Sequence, residues 1–265
     1  MSFYGSSFSF DGKSCEEFGL MLYDFGNTTQ GNSKFASVNI LEDRVYQRPR
    51  SLFYGSTYKD PLEFKLVFGA NEDRATHQAP FDRCEVSSIA SWLTDQSMYK
   101  WLEIHQEDME GIRYRCIISD LEVLEVGMQK WAFQCTVHCD SPYAYTYPQK
   151  MRYAVNGTLS VRLFSPSTAN VLFTPTVEIA LNQSSDFTIE NITTGQIFSI
   201  AGFPQTSDTI TVHGASGVIT SSSNLNVYPY CNFKWPNLYK GYNIIKLTGV
   251  GDVVFTCEFP MNIGG

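Results

Sequence analysis

Hydrophobic positions in this chain recur mostly with a period of two, the signature of strands that turn one face to a core. The clearest stretch runs from Gly111 to Tyr147, where Ile112, Tyr114, Cys116, Ile118, Leu121 and Val123 stand against Arg113, Arg115, Ser119 and Glu122. Gly127 interrupts the pattern where a chain reversal needs a permissive residue. Trp131, Phe133, Cys135, Val137 and Cys139 then alternate with Lys130, Ala132, Gln134, Thr136 and His138. This predicts an antiparallel pair, ended by Asp140, Ser141 and Pro142.

Upstream, Phe8 to Gly12 and Phe18 to Leu22 predict a short hairpin turning at Asp11-Gly12, whose aromatic edges would pair with a neighbouring subunit. Residues 24–34 form a loop by composition. The alternation returns from Phe35 to Tyr46, Gln47–Ser51 and Tyr54–Thr57 interrupt it, and the excursion between that strand and the next, Leu62–Phe68, is a candidate protruding arm or an ordinary loop. One helix is predicted, from Asp82 to about Met98, with Asp82 and Glu85 spaced as a reciprocal cap and Val86, Ile89, Ala90, Trp92 and Leu93 at helical spacing. After Pro148 eight short strands are separated by turn residues, without a helix signal. The predicted fold is mainly β. A β-sandwich or α+β domain with one helix spans 1–148, and a jelly-roll or galectin-like sandwich spans 149–265.

Charge sharpens this division. Residues 1–148 hold 13 Lys and Arg against 21 Asp and Glu, a net of −8, whereas 149–265 hold 6 against 6. Nucleic-acid binding needs clustered cations, so the acidic half argues against it. The N-terminus lacks a basic segment followed by an apolar one, and no apolar run reaches membrane-spanning length, so synthesis and folding in a cytoplasm are expected.

Candidate chemistry is sparse. His77, His105, His138 and His213 sit in no nucleophile or zinc-protease context, and no phosphate-cradling glycine loop occurs, so no enzyme and no cofactor are expected. Cys135-x-x-x-Cys139 beside His138 has the look of half a zinc site without a second ligand pair, and no metal is expected. Glu107-Asp108-x-Glu110 reads as solvated charge at a turn. Tyr228, Tyr230, Trp235 and Tyr239 crowd a short stretch with Phe233 and are candidates for glycan or partner contact, or for the core of a sandwich.

Three groups of residues resemble the distal tail protein (Dit) family of long-tailed, non-contractile bacteriophages. The first is Phe8-x-Phe10-x-Gly12 with Phe18-Gly19-Leu20. The second is Trp92-Leu93, Tyr99-Lys100-Trp101-Leu102, and a hairpin closed by Trp131-x-Phe133-x-Cys135 and Cys139-Asp140-Ser141-Pro142-Tyr143. The third is Trp235-Pro236-Asn237-Leu238-x-x-Gly241-x-Asn243-x-Ile245 with Val253-Val254-Phe255-Thr256. The family's glycine-rich segment has only Gly31-Asn32-Ser33 as a stand-in. The resemblance implies a structural protein of the virion tail tip: a hexameric ring built by the N-terminal domain, passed by DNA without specific binding, with a galectin-like domain projecting outward. Its implied neighbours are the tail tube protein, the tail-associated lysin or hub protein, and receptor-binding proteins. Asp140, Ser141, Pro142 and Tyr143 would be the hinge that aims the outer domain. The alternative is a carbohydrate-binding module of the virion that contacts the host cell wall.

Overall fold

In the computed structural model of the chain, residues 7–23, 35–46, 48–182, 186–205 and 207–264 are described; the predicted loop at 24–34 lies outside them. The chain divides into two units, one reaching Tyr145 and including residues 262–264, the other Thr146–Met261.

The first unit contains β1 (Ser7–Phe10), β2 (Lys13–Ser14), β3 (Leu20–Leu22), β4 (Val38–Asp43), β5 (Leu52–Tyr58), β6 (Glu63–Ala70), α1 (Glu72–Thr76), α2 (Arg83–Thr94), β7 (Lys100–His105), β8 (Ile112–Val126), β9 (Gln129–Cys139) and β10 (Ala144–Thr146). Its sheet runs β2-β1-β7-β8-β9-β6-β3. The predicted hairpin is its spine. β8 and β9 pair antiparallel around Gly127 and Met128, both at positive φ, and Tyr114, Cys116, Ile118, Phe133, Cys135, Val137 and Cys139 are all buried.

The amino-terminal segment differs from expectation. β1 does turn at Asp11-Gly12, but β2 is two residues long, a 3-10 turn at Cys15–Phe18 follows, and β3 pairs with β6. β7 pairs with the whole of β1 and β2 with Ser9 and Phe10, and the side chains of Phe8 and Phe10 are core residues of their own unit. Tryptophan fixes the helix against them. Trp92 donates from Nε1 to the Phe10 carbonyl at 3.1 Å and stacks on Phe18 with centroids 4.4 Å apart. The capping box forms as predicted from Asp82 and Glu85, and α2 ends at Thr94, earlier than the expected Met98. A second, one-turn helix, α1, starts from an Asn71 cap; five residues are too few to show a helical period in the sequence.

The second unit contains β11 (Gln149–Ser165), β12 (Thr176–Leu181), β13 (Phe187–Asn191), β14 (Gln196–Ile200), β15 (Thr209–His213), β16 (Val218–Ser221) and β17 (Gly241–Cys257). Two strands predicted at Tyr242–Leu247 and Asp252–Phe259 are one continuous strand of 17 residues, β17. β11 occupies one edge of β17 along its whole length, from Gln149↔Cys257 to Ser165↔Gly241. The other edge is shared: β13 pairs with Ile245–Thr248, and β12 with Gly251–Thr256. β17 therefore passes from one half-sheet to the other around Gly249, at φ +143°. A single core, with Leu163, Ile189, Phe198 and Ile245 from one half and Val177, Ile179, Val212 and Phe255 from the other, fills the space between them, so the unit is a sandwich folded from one long ribbon.

Candidate functional site

The first candidate surface is the β4–β5 hairpin. The two strands pair only with each other among the described residues, from Val38↔Tyr58 to Asp43↔Leu52, with an irregularity at Leu41/Glu42. Successive side chains of a strand point to opposite faces, so Ile40 and Leu41, like Phe53 and Tyr54, put apolar groups on both faces of the ribbon. Phe53 is 66% exposed and Tyr54 67%. A two-stranded ribbon is marginal in water by itself, and large apolar side chains left on both faces mark a surface built to be covered. Its base is secured within the first unit, where Tyr58 meets Tyr143 edge-to-face at 5.3 Å and Lys59 donates its amide to the Ser37 carbonyl at 2.8 Å.

The aromatic stretch of the second unit sits differently. Tyr228, Tyr230 and Trp235 are half-buried against the sandwich core. Tyr230 packs edge-to-face on Phe203 at 5.5 Å, and the Tyr228 hydroxyl accepts from the Ile219 amide at 3.4 Å. Tyr239 is half-buried, with its hydroxyl hydrogen-bonded to Asn170 Oδ1. Of this group Phe233, at positive φ, is the exposed one, stacked on Tyr228 with centroids 6.0 Å apart.

The four residues of the predicted hinge are packed within the first unit. The Asp140 amide donates to the Arg115 carbonyl at 2.9 Å and its carboxylate lies 3.4 Å from Arg115 Nη1. Ser141 Oγ accepts from the Tyr143 amide at 3.2 Å and from the Tyr145 hydroxyl at 2.8 Å, bonds that span the turn around Pro142. The cysteine–histidine group does not converge. Cys135 and Cys139 are buried, and burial pushes both thiols up to about 12, whereas His138 faces outward beside Glu63 at 3.4 Å. Among the described residues no group of His, Cys, Asp and Glu is placed to hold a metal ion.

Comparison with known proteins identifies the family. The phage tail protein N-terminal domain matches residues 3–141, and the phage tail C-terminal domain matches residues 143–257. The chain belongs to the phage tail protein family. No curated protein matches it in sequence. The crystal structure of the Dit protein of phage SPP1, described as a paradigm of the hub adsorption apparatus in phages that infect Gram-positive bacteria, superposes with a TM-score of 0.69 at 11% identity. The match covers 96% of this chain and 98% of that one. The resemblance to distal tail proteins is thus borne out in the fold.

One surface of this phage tail protein escapes a reading of the sequence. On the outer face of the half-sheet formed by β11, β17, β13 and β14, Phe164 lies opposite Tyr242 and Arg162 opposite Ile244. These pairs join residues about eighty positions apart, and neither strand shows more than one aromatic there. The alternation of β11 and β17 was the available signal, because the positions between buried Leu163, Asn243 and Ile245 must face out.

Proposed function

We propose that the protein is the distal hub of a phage tail: six copies join through the first unit into a ring at the end of the tail tube, and DNA passes through it. The observation that carries this reading is the β4–β5 hairpin, whose apolar side chains on both faces call for cover from an adjacent copy. Covering an arm of one subunit with a different surface of the next is a heterologous contact, and such contacts form a ring when the rotation between neighbours closes. The shared fold with a hub protein over 96% of the chain supports the same role. The net charge of −8 in residues 1–148 suits a passage through which a polyanion slides without sticking. The tail tube protein and the lysin or hub protein are the axial neighbours, and Asp140, Ser141, Pro142 and Tyr143 form the stiff exit that presents a galectin-like second unit to the receptor-binding proteins. The protein works in the virion tail tip, after synthesis in the host cytoplasm.

Light scattering on the purified protein tests the ring. A mass six times that of the 29.9 kDa chain is expected, together with annular particles in negative stain. The pair Phe53→Ser and Tyr54→Ser should give monomers with an unchanged melting temperature. A parent protein that stays monomeric at every concentration refutes the ring.

The second reading, a carbohydrate-binding module, is favoured by one observation, the exposed Phe233 ring stacked on Tyr228. Binding to host cell-wall polysaccharide that disappears in Phe233→Ala, with rings intact, would support it. Tyr230, Trp235 and Tyr239 would then shape the site from behind.

A further inference from the structure

We infer that the outer face of the half-sheet β11–β17–β13–β14 docks a segment of another tail protein that is both apolar and acidic. The inference rests on the hub reading only in placing the second unit among other tail proteins. The two outer faces of the sandwich serve as each other's control. On the half-sheet of β12, β15 and β16, the outward positions are mostly polar, Thr176, Glu178, Thr209, Thr211, His213 and Thr220, with Ala180 and the 40% exposed Val218 as the apolar ones and no aromatic among them. On the other, Phe164 is 54% exposed and Tyr242 55%, beside exposed Ile244, Ile192 and Ile197. Register and hydrogen bonding make these neighbours. Phe164 lies opposite Tyr242 with ring centroids 5.0 Å apart, and the Ile192 amide donates to the Ile244 carbonyl at 2.9 Å. Glu190 sits between Lys246 and Ile197 in the cross-strand row.

Charge decides the occupant. This face carries Arg162 and Lys246, with Lys240 just before β17, against a single carboxylate, Glu190, which lies 3.7 Å from Lys246. A second copy docked face to face would oppose these cations to their own kind, which costs affinity. Arg162 lies 3.7 Å over the centre of the Tyr242 ring. That ring face is therefore taken and not available to stack a sugar. An aromatic centre with an arginine laid on it and no free carboxylate is the composition of a protein-binding hot spot, and it calls for carboxylates opposite Arg162.

The test uses assembled tails carrying the photo-crosslinker p-benzoylphenylalanine in place of Tyr242, or of Ile244 should the first not assemble, with Thr211 substituted as the control on the polar face. After irradiation the crosslinked peptides are sequenced by mass spectrometry. The expected product joins this chain to a different tail polypeptide, at a segment with Asp or Glu within a few residues of an apolar side chain. Arg162→Glu should lower the crosslink yield about tenfold, and Arg162→Lys should keep most of it. Melting temperature and ring formation should stay unchanged in both, which separates failure of this docking site from failure of the hub. A crosslink to a second copy of this chain, one to a segment without carboxylates, or a yield no higher than at Thr211 would overturn the inference.

Discussion

Replacing Gly249 by alanine tests the architecture of the second unit at its most constrained point. Gly249 lies where β17 passes from β13 to β12, at φ +143°, a backbone region that costs a residue with a Cβ of order 1–3 kcal/mol. The added carbon would also stand 2.5 Å from Phe187 Cδ2 and 2.9 Å from the Asp186 carbonyl oxygen. Phe187 is fully in the core, so its ring moves only by disturbing Ile200 and the rest of that cluster. Overpacking of this kind costs typically 1–3 kcal/mol. The two add to about 2–6 kcal/mol, which in a unit of this size lowers its melting temperature by roughly 10 °C or more. Gly157, directly opposite on β11, separates the two causes: it also has positive φ, +89°, but nothing lies within 4 Å of its missing Cβ. Gly157→Ala should therefore show only the backbone cost, about 1–2 kcal/mol. Calorimetry on both variants gives the comparison. Equal losses, or a Gly249→Ala change below about 0.5 kcal/mol, would refute the view that β17 bends at this glycine with Phe187 packed into the bend.

Three further predictions follow from single residues. Asp208 is buried; burial alone would raise its pKa, but the hydroxyls of Ser221, Ser222 and Ser223 and the Thr209 amide outweigh it and hold the carboxyl at about 2, below its ordinary 3.8. With the folded pKa depressed, the stabilisation is complete above the unfolded pKa and lost as pH falls toward 2, so urea titrations should show Asp208→Asn less stable by about 2 kcal/mol at pH 7, with the gap closing near pH 2. Of the seven thiols Cys84 alone is exposed, so a thiol reagent should titrate one equivalent rapidly in native protein and the remaining six on unfolding; fast reaction of two or more would contradict the burial of the rest. Trp92→Phe keeps the stack on Phe18 but loses the bond to the Phe10 carbonyl, and a loss of about 1–2 kcal/mol in thermal unfolding of the first unit is expected.

How much of this was legible in the sequence depended on how local the determinant is. The β8–β9 hairpin and the Asp82–Glu85 cap rest on residues a few positions apart, and both appeared as expected. Of the exposed hairpin, β4 lies in the expected strand Phe35–Tyr46 and β5 in the expected excursion, where polar and glycine punctuation masked a strand, and only the structure pairs the two and reveals apolar groups on both faces. The long ribbon was divided into short strands because glycines at 249 and 251 read as punctuation, whereas in the fold Gly249 marks a bend within one strand. Contacts between distant residues were out of reach for a similar reason. Local density drew attention to Tyr228, Tyr230, Trp235 and Tyr239, three of which pack on the core, while Phe164 and Tyr242 become neighbours only through pairing of β11 with β17.

Tyr114 is fully buried in the first unit, and its hydroxyl donates to the Gly264 carbonyl at 2.6 Å. The chain thus leaves the first unit after Tyr145 and comes back to it from Asn262, so the second unit is an insertion in the sequence of the first. One protease nick between Tyr145 and Tyr147 would not release it, because residues 262–264 belong to the first unit as well. Cutting a gene off at Tyr145 would remove more than the second unit: it would take from the Tyr114 phenol the carbonyl that receives its proton, a loss of about 1–3 kcal/mol in the part retained.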